Sequence, residues 1–267
     1  MTMPRLQVIG GGKMGEALVA GLLAAGWAKA GEMRVVEKLP SRADELGERF
    51  AGLEVAAEPS GAEGHVLAVK PGDVETACRA LAAAGSRTPV LSIAAGVTLA
   101  RLEAALGSGT PVVRAMPNTP ALVGAGAAAV APGREAGDAE LAWAERILGA
   151  VGQVVRVDEG LLDAVTGLSG SGPAYVFLVA EALIDAGVLV GLPRPVSAAL
   201  ATQTLLGAAR LLDESPEGPE ALRAAVTSPG GTTAAGLRAL ESAGVRAAFL
   251  DAVAAATERR RELGRAG

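Results

Sequence analysis

Three glycines at fixed spacing follow the first β-branched run of this chain and open a helical pattern. In "VIGGGKMGEAL" they fit the pattern G-x-G-x-x-G. The pattern alone is weak evidence, with a tight turn as the alternative, but its place between a strand and a helix favours a dinucleotide site. A side chain at Gly12 would hold the backbone away from a pyrophosphate bound at the helix N-terminus. We therefore predict cofactor contacts at Gly10, Gly12, Lys13, Met14 and Gly15.

Short β-branched runs alternate with helical patterns from Leu6 to about Asp158. The runs are "LQVIG", "MRVVE", "LEVAA", "HVLAVK", "PVLSIAAG", "PVVRAMPN" and "QVVRVDE". Strands that alternate with helices predict a mostly parallel sheet covered on both faces, and the nearly continuous apolar runs fit strands buried on both sides. The expected fold class is an α/β Rossmann-like, dinucleotide-binding domain over residues 1–159.

After Gly160 the strand signal stops, and the rest of the chain is predicted to be all-α, a second domain over residues 160–267. Proline and glycine positions place its helices at 160–168, 173–190, 194–213, 218–226, 232–242 and 245–262. This half is rich in Ala, Gly and Leu and only about 110 residues long, so we expect it to share its core with a second chain. A homo-oligomer is therefore expected.

The second predicted strand ends at Glu37, where a carboxylate usually binds the adenosine ribose of a dinucleotide. That position alone indicates NAD. Lys38 follows at once, and Ser41 and Arg42 come one turn later, a cluster suited to the 2′-phosphate of NADP. Both cofactors stay open, with a slight preference for NADPH over NADH. If Arg42 binds the phosphate, replacing it should impair the use of NADPH far more than that of NADH.

Two further predicted strands end in short loops on the same side of the sheet, where open α/β folds bind cofactors. They are "AVKP" and "SIAAG". Small residues in the second loop would let a nicotinamide ribose approach the backbone, whereas the lysine of the first is either a contact or a surface charge. The predicted cofactor contacts in these loops are Ala68, Val69, Lys70, Pro71, Ala94 and Ala95.

The C-terminal half lacks the usual acid–base side chains. No lysine follows Lys70, and the only histidine, His65, opens the fourth predicted strand, at the end opposite the cofactor. A ketone reduction needs a proton donor for the developing alkoxide, usually histidine or lysine. A cyclic imine can bind already protonated, so hydroxyls and backbone amides suffice. The sequence therefore favours an imine as the substrate.

Charge and residue content disfavour several classes of partner. A net charge of −5 with 2% aromatic residues argues against nucleic acid, and metal ligands are lacking. Cys78 is expected to be a reduced core residue. The apolar run from Tyr175 to Leu192 contains Glu181 and Asp185, which predicts a largely buried helix and no membrane span. With no export signal at the N-terminus, we expect a cytoplasmic protein, and the C-terminal "ERRRELGR" is expected to be a solvated helix end.

Three segments together resemble the pyrroline-5-carboxylate reductase family: "VRAMPNTPALVGAG" (113–126), "TGLSGSGPAYVF" (166–177) and "TSPGGTTAAGL" (227–237). With "IGGGKMG" and "AVKP", the resemblance covers essentially the whole chain. It implies a Rossmann domain followed by a helical dimerisation domain, in interlocked dimers that often form decamers. It also implies reduction of (S)-1-pyrroline-5-carboxylate to L-proline by NADPH or NADH.

The resemblance further implies roles for individual residues. The third segment would bind the substrate carboxylate through hydroxyl and N–H groups, and its last threonine, Thr233, would donate a hydrogen bond to the ring nitrogen. Asn118 matches a residue beside the nicotinamide, with Met116 and Pro117 on the same wall and Met116 against the substrate. By position, the substrate-binding residues of this segment are Ser228, Gly230, Gly231, Thr232 and Thr233.

The third segment also has a physical interpretation of its own. Pro229 is expected to end one helix, and a helix that begins near Thr232 would direct its unsatisfied N–H groups and positive dipole end into the gap. Such a gap is a carboxylate receptor without a lysine or an arginine.

Two other functions stay open at this point. A β-hydroxyacid dehydrogenase has a similar build but relies on a catalytic lysine in its helical half, which this chain does not contain. A non-catalytic dinucleotide-binding sensor or scaffold would explain the first glycines, yet it gives no reason for the glycine and hydroxyl cluster at 228–233.

Overall fold

One sheet organises the N-terminal half of the computed structural model, which describes residues 3–266. Within that range the sheet has eight strands: β1 (Leu6–Ile9), β2 (Met33–Val36), β3 (Glu54–Ala56), β4 (His65–Leu67), β5 (Val90–Ser92), β6 (Val112–Met116), β7 (Gly126–Pro132) and β8 (Gly152–Arg156). Seven of them coincide with the seven predicted runs. The mostly parallel sheet predicted from the sequence is confirmed.

The strand order is β3-β2-β1-β4-β5-β6-β7-β8, with β1 in parallel register between β2 and β4. Parallel pairing continues to β6, after which β7 runs antiparallel to β6 and β8 runs parallel to β7. Strand β7 is not among the predicted strands. Its "GAAAVAP" has almost no β-branched residues, and strand structure there depends on pairing with both neighbours rather than on local propensity.

The helices are α1 (Lys13–Ala24), α2 (Pro40–Arg49), α3 (Val74–Ala83), α4 (Leu99–Leu106), α5 (Asp138–Gly149), α6 (Leu162–Val165), α7 (Gly172–Leu189), α8 (Arg194–Glu214), α9 (Pro219–Ala225), α10 (Thr232–Ser242) and α11 (Val245–Ala266). The six helices predicted after Gly160 are confirmed, the first in an altered form. It comprises α6 and then a π-helical turn, Thr166–Gly170, that leads into α7.

Two apolar clusters lie on opposite faces of the sheet. Val8 of β1 packs with Leu18 and Leu22 of α1, whereas its neighbour Ile9 packs with α3 and α4 on the other face. This alternation follows from the two-residue period of a strand. It confirms burial on both sides for the inner strands β1, β4 and β5, whereas the edge strands β3 and β8 are partly exposed. Cys78 belongs to the second cluster, as predicted, and burial raises the pKa of its thiol to about 12.

The chain divides into two compact units, one of them Gly172–Ala254 and the other the chain up to Ser171 together with the segment from Ala255 onward. The predicted boundary lies earlier, at 159/160. The segment after that point belongs with the sheet because Leu162 packs against Ala129 and Ala131 of β7. Residues 1, 2 and 267, at the outer ends of the two predicted domains, lie outside the described residues.

In the second unit, α7 packs along α8 at close range. A Cβ atom at Gly187 would clash with Ser197, whose Oγ donates a hydrogen bond to Ile184 O (2.7 Å). The prediction that α7 is largely buried is wrong for the single chain, in which none of its residues is buried. The physical reason is that no further layer of the same unit covers it.

Among the described residues, one helical run, Glu159–Leu189, is long and apolar enough by composition to cross a membrane. Glu181 and Asp185 lie inside this run. Asp185 pairs with Arg194 at 2.6 Å (Oδ1 to NH2), so the run carries an ion pair at its second half.

His65 is fully buried at the start of β4, away from the strand ends that face the predicted cofactor. Gln7 Oε1 accepts a hydrogen bond from Ser60 N, and Gln7 Nε2 donates one to Ser60 O. The second hydrogen on Gln7 Nε2 is donated to His65 Nδ1 (3.2 Å). His65 Nε2 then donates to Ser86 Oγ (2.8 Å). The ring is therefore held neutral, and burial lowers its pKa to about 4.

This burial predicts a pH-dependent stability. Because the folded pKa lies below the ordinary value of 6.5, neutral His65 stabilises the fold above pH 6.5, and this contribution is lost as the pH falls towards 4. Between pH 7 and pH 5 we expect a loss of about 2 kcal/mol in the free energy of unfolding from this residue. Urea unfolding of the wild type and of His65→Gln at both pH values measures this loss. Between pH 7 and pH 5 the free energy of unfolding of the variant should fall by about 2 kcal/mol less than that of the wild type. Equal losses in the two proteins would contradict the assignment.

Candidate active site

The loops that follow β1, β2, β4 and β5 meet at one edge of the sheet, because these strands are parallel. Gly10 N donates to Val36 O (2.9 Å), Ala68 N donates to Ile9 O (2.8 Å), and Ile93 N donates to Leu67 O (3.1 Å). The chain leaves β1 between β2 and β4, where the strand order reverses. Open α/β sheets bind ligands in the crevice at such a point.

The three glycines of the first turn have different structural reasons. Gly10 has φ = +107°, and a Cβ there would lie 2.6 Å from Ala68 O. A Cβ at Gly15 would clash with Gly10 O, so this glycine allows α1 to approach the strand. Around Gly12, which caps α1, no protein atom lies within 4 Å of the Cβ position. The protein itself therefore does not require glycine at Gly12, whereas a ligand backed against the N–H groups of α1 would.

Glu37 and Arg42 contact the turn rather than the open space beside it. Glu37 Oε2 accepts a hydrogen bond from Gly11 N (3.0 Å), and its Oε1 accepts one from Leu39 N (2.9 Å). Arg42 Nε donates to Gly11 O (2.8 Å). Lys38 is exposed and forms no ion pair with any of residues 3–266.

The loops after β4 and β5 carry the other predicted cofactor contacts. Lys70 is exposed and precedes a short 3-10 turn that begins at Pro71. Ala94 is buried, whereas Ala95 is exposed at the edge. These loops therefore offer a lysine and a stretch of backbone with small side chains on the β4 side of the crevice.

Sequence reasoning missed one residue at this edge, Arg260. It is buried, its guanidinium lies next to Gly96, and its Nε is 3.5 Å from Asp163 Oδ1. The prediction that "ERRRELGR" is a solvated helix end is therefore wrong at this position, although Arg259 and Arg261 are exposed. Thr257, one helical turn earlier, is buried as well, but two polar residues at helical spacing give no sequence signal of burial.

Asn118 connects the end of β6 to two neighbouring elements. Its Oδ1 accepts a hydrogen bond from Ala127 N (2.8 Å), and its Nδ2 donates to Ser169 O (3.0 Å) in the π-helical turn. Met116 lies beside Gly170 of the same turn, where a Cβ would be 2.8 Å from Met116 Cε. The side-chain amide keeps one free hydrogen, so Asn118 both fixes the turn and can still contact a ligand.

In the second unit, the "TSPGGTTAAGL" segment forms a helix N-terminus without a side-chain cap. Gly230 has φ = +69°, Gly231 caps α10 without a side-chain hydrogen bond, and α10 begins at Thr232, as predicted. The first turn of α10 has no acidic residue, so its free N–H groups and dipole face no protein carboxylate within the turn. Pro229 does not end the preceding helix: α9 stops at Ala225, and Thr227 Oγ1 bonds Arg223 O (2.6 Å).

The crevice edge of the sheet carries no histidine among the described residues. His65 lies at the opposite end of β4, as predicted, and is neutral. No cluster of three or more His, Cys, Asp or Glu side chains suited to a metal ion occurs in the part of the chain that the structure describes. The groups that the α10 start offers are hydroxyls and backbone amides, which suit a carboxylate and a weak proton acceptor.

Comparison with known proteins decides the family. The sequence profile described as pyrroline-5-carboxylate reductase dimerisation matches residues 159–263, and one described as NADP oxidoreductase, coenzyme F420-dependent, matches residues 5–96. The pyrroline-5-carboxylate reductase of Mycobacterium tuberculosis is 45% identical over 98% of this chain and 97% of its own. The chain belongs to the pyrroline-5-carboxylate reductase family.

Solved structures agree with this assignment. The pyrroline-5-carboxylate reductase of Coxiella burnetii superimposes with a TM-score of 0.93 at 37% identity, covering 98% of this chain and 99% of that one. A pyrroline carboxylate reductase from Plasmodium falciparum with NADP bound gives a TM-score of 0.83 at 30% identity, covering 98% and 100%. The Rossmann-like and helical parts of this family member thus have the build that the resemblance implies.

Proposed function

We propose that this protein reduces 1-pyrroline-5-carboxylate to L-proline, the last step of proline biosynthesis, as an NAD(P)H-dependent imine oxidoreductase. The observation that carries the proposal is the likeness, over nearly the full chain, to proteins named for this reaction. The chemistry of the α10 start supports it independently, because that start offers a carboxylate receptor and hydroxyls but no side chain that could serve a ketone.

The crevice beside Gly12 fits a dinucleotide, since a Cβ at this glycine would fill open space at the N-terminus of α1. The residues that would hold the cofactor are the turn at Gly10, Gly12, Lys13, Met14 and Gly15 and the loops at 68–71 and 94–95, while the carboxylate of Glu37 bonds the turn itself. Bound there, NAD(P)H supplies the hydride. NADPH is the proposed preference, with NADH as a usable alternative, and exposed Lys38 and the NADP-bound relative support it.

The substrate carboxylate is proposed to bind at the start of α10. Gly230 and Gly231 leave the backbone bare, and the N–H groups of Thr232 and Thr233 with the Ser228 hydroxyl supply the hydrogen bonds. A helix N-terminus stabilises a carboxylate without a counter-cation, and the absence of an acidic residue in the first turn leaves this potential uncancelled. Met116, beside the π-helical turn, is proposed as a further contact of the substrate.

The proton balance follows from the charge of the substrate. The imine enters protonated, so its C=N carbon accepts the hydride while the nitrogen keeps its proton, and the product is a secondary amine. No side chain needs to be deprotonated or protonated in this step. Thr233 Oγ1 is the proposed hydrogen-bond partner of the ring nitrogen, a role that needs only a hydroxyl.

The exposed apolar side chains of the second unit indicate a second copy of the chain. A soluble monomer rarely exposes so many. We propose a homodimer that covers them, with assembly into decamers, and a cytoplasmic enzyme without nucleic-acid or membrane partners. The side chains include Val176, Phe177, Leu178, Leu189, Leu200, Leu206, Leu211, Phe249 and Leu250.

The function is tested by turnover. Purified protein should oxidise NADPH or NADH only when 1-pyrroline-5-carboxylate is added, and L-proline should accumulate in equal amount. A 3-oxo acid is the matched control, because a β-hydroxyacid dehydrogenase would reduce it. Nucleotide binding without turnover of the imine would instead favour a non-catalytic sensor and overturn the proposal.

Thr233 can be tested in the same assay. Thr233→Ala should lower kcat about tenfold or more, the order expected for one lost hydrogen bond to a charged group, while the KM for the cofactor stays unchanged. Thr233→Ser keeps the hydroxyl and should retain most of the activity. If the alanine variant turns over as fast as the wild type, the substrate's own proton suffices and Thr233 has no such role.

A further inference from the structure

Two side chains from the segment after β2 hold the Gly11 peptide at both of its polar groups. Glu37 Oε2 accepts from the Gly11 N–H (3.0 Å), and Arg42 Nε donates to the Gly11 carbonyl (2.8 Å). Gly11 is buried, so these bonds replace water for groups that would otherwise be unsatisfied. Gly11 lies between Gly10 and Gly12, and its peptide therefore determines where the bare backbone of the turn points.

The rest of the Arg42 guanidinium faces carboxylates. Its NH1 donates to Glu45 (2.8 Å), and its NH2 donates to Glu16 of α1, which also pairs with Arg49. Glu45 and then Glu16 raise the pKa of Arg42 above its ordinary value. The two arginines and two glutamates carry no net charge together, so a phosphate arriving here would meet the negative charges of Glu45 and Glu16 beside Arg42.

Glu37 is fixed in the same way. Its second oxygen, Oε1, accepts a hydrogen bond from Leu39 N (2.9 Å). One carboxylate therefore bonds both the glycine turn and the turn between β2 and α2. A change at Arg42 would therefore reach the glycine turn directly, and through it the N-terminus of α1. Lys38, by contrast, is exposed and contacts neither Gly11 nor a carboxylate in residues 3–266.

We propose that Arg42, with Glu37, is a positioning residue that clamps the Gly11 peptide for either dinucleotide, and that it is not a ligand of the 2′-phosphate. Discrimination between NADPH and NADH is then left to Lys38. This inference rests on the proposed use of NAD(P)H. It departs from the expectation that the whole Lys38–Arg42 cluster binds the phosphate.

Dissociation constants for NADPH and NADH, measured with the full chain, separate the two roles. Arg42→Met should weaken the binding of NADPH and of NADH by the same factor, about tenfold or more, because the lost hydrogen bond to Gly11 serves both cofactors. Arg42→Lys keeps the charge but not the planar donor geometry, so it should not restore binding. Lys38→Met should weaken NADPH alone. Arg49→Met, which removes the other partner of Glu16, is the control and should leave both unchanged.

A loss confined to NADPH in Arg42→Met, restored by Arg42→Lys, would show a phosphate ligand and overturn the proposal. Unchanged binding of both cofactors would overturn it too.

Hydrogen–deuterium exchange without cofactor tests the clamp separately from the proposed function. A peptide that covers Gly10–Gly15 should exchange faster in Arg42→Met and in Arg42→Lys than in the wild type, and at the wild-type rate in Arg49→Met. Equal exchange in all four proteins would contradict the clamp. Failure of the wild type to bind either nucleotide would count against the proposed function, while the exchange rates would still decide whether Arg42 holds the turn.

Discussion

The parallel pairing of β1 with β2 on one side and β4 on the other is the constraint on which the nucleotide site depends. It brings the carboxyl ends of these strands to one edge of the sheet. The strand order reverses at β1, with β2 and β3 on one side and β4 and β5 on the other, and this reversal opens a crevice at Gly10. Because β1 is followed at once by α1, the free N–H groups of that helix face the same crevice. Gly12 is the position at which this geometry leaves space that the protein does not fill.

A second helix start supports the chemistry of the substrate. The start of α10 combines two glycines, two threonines and no acidic side chain, so at the proposed carboxylate site backbone amides would have the role that an arginine often has. A protonated imine needs hydride and a hydrogen bond, whereas a ketone would also need a proton. The scarcity of histidine and lysine in this half is thus consistent with the proposed substrate rather than a defect of the site.

Much of this could be predicted from the sequence, because it depends on local signals. Glycine spacing, β-branched runs and proline positions predicted the turn, seven strands and the helices. The strand β7 could not be predicted, since its alanines become a strand only through pairing with β6 and β8. The exposure of α7 depends on what covers it, which a single chain does not contain.

The partners of individual side chains were also beyond the sequence. Spacing placed Arg42 near the cofactor but gave no indication that Glu16, some 26 positions earlier, would pair with it. Arg260 is similar, because only the fold brings it beside Gly96. Side-chain contacts between distant segments arise from packing, and packing is what a pattern along one chain does not describe.

The central claim is that the imine is reduced without an ionisable side chain of the protein. The pH dependence of kcat/KM for 1-pyrroline-5-carboxylate, at saturating NADPH, tests it most directly, because this ratio reports ionisations of the enzyme–NADPH complex and the free substrate. We expect a single ionisation, with the pKa of the substrate iminium measured separately by NMR titration. A second ionisation that belongs to the enzyme would contradict the account.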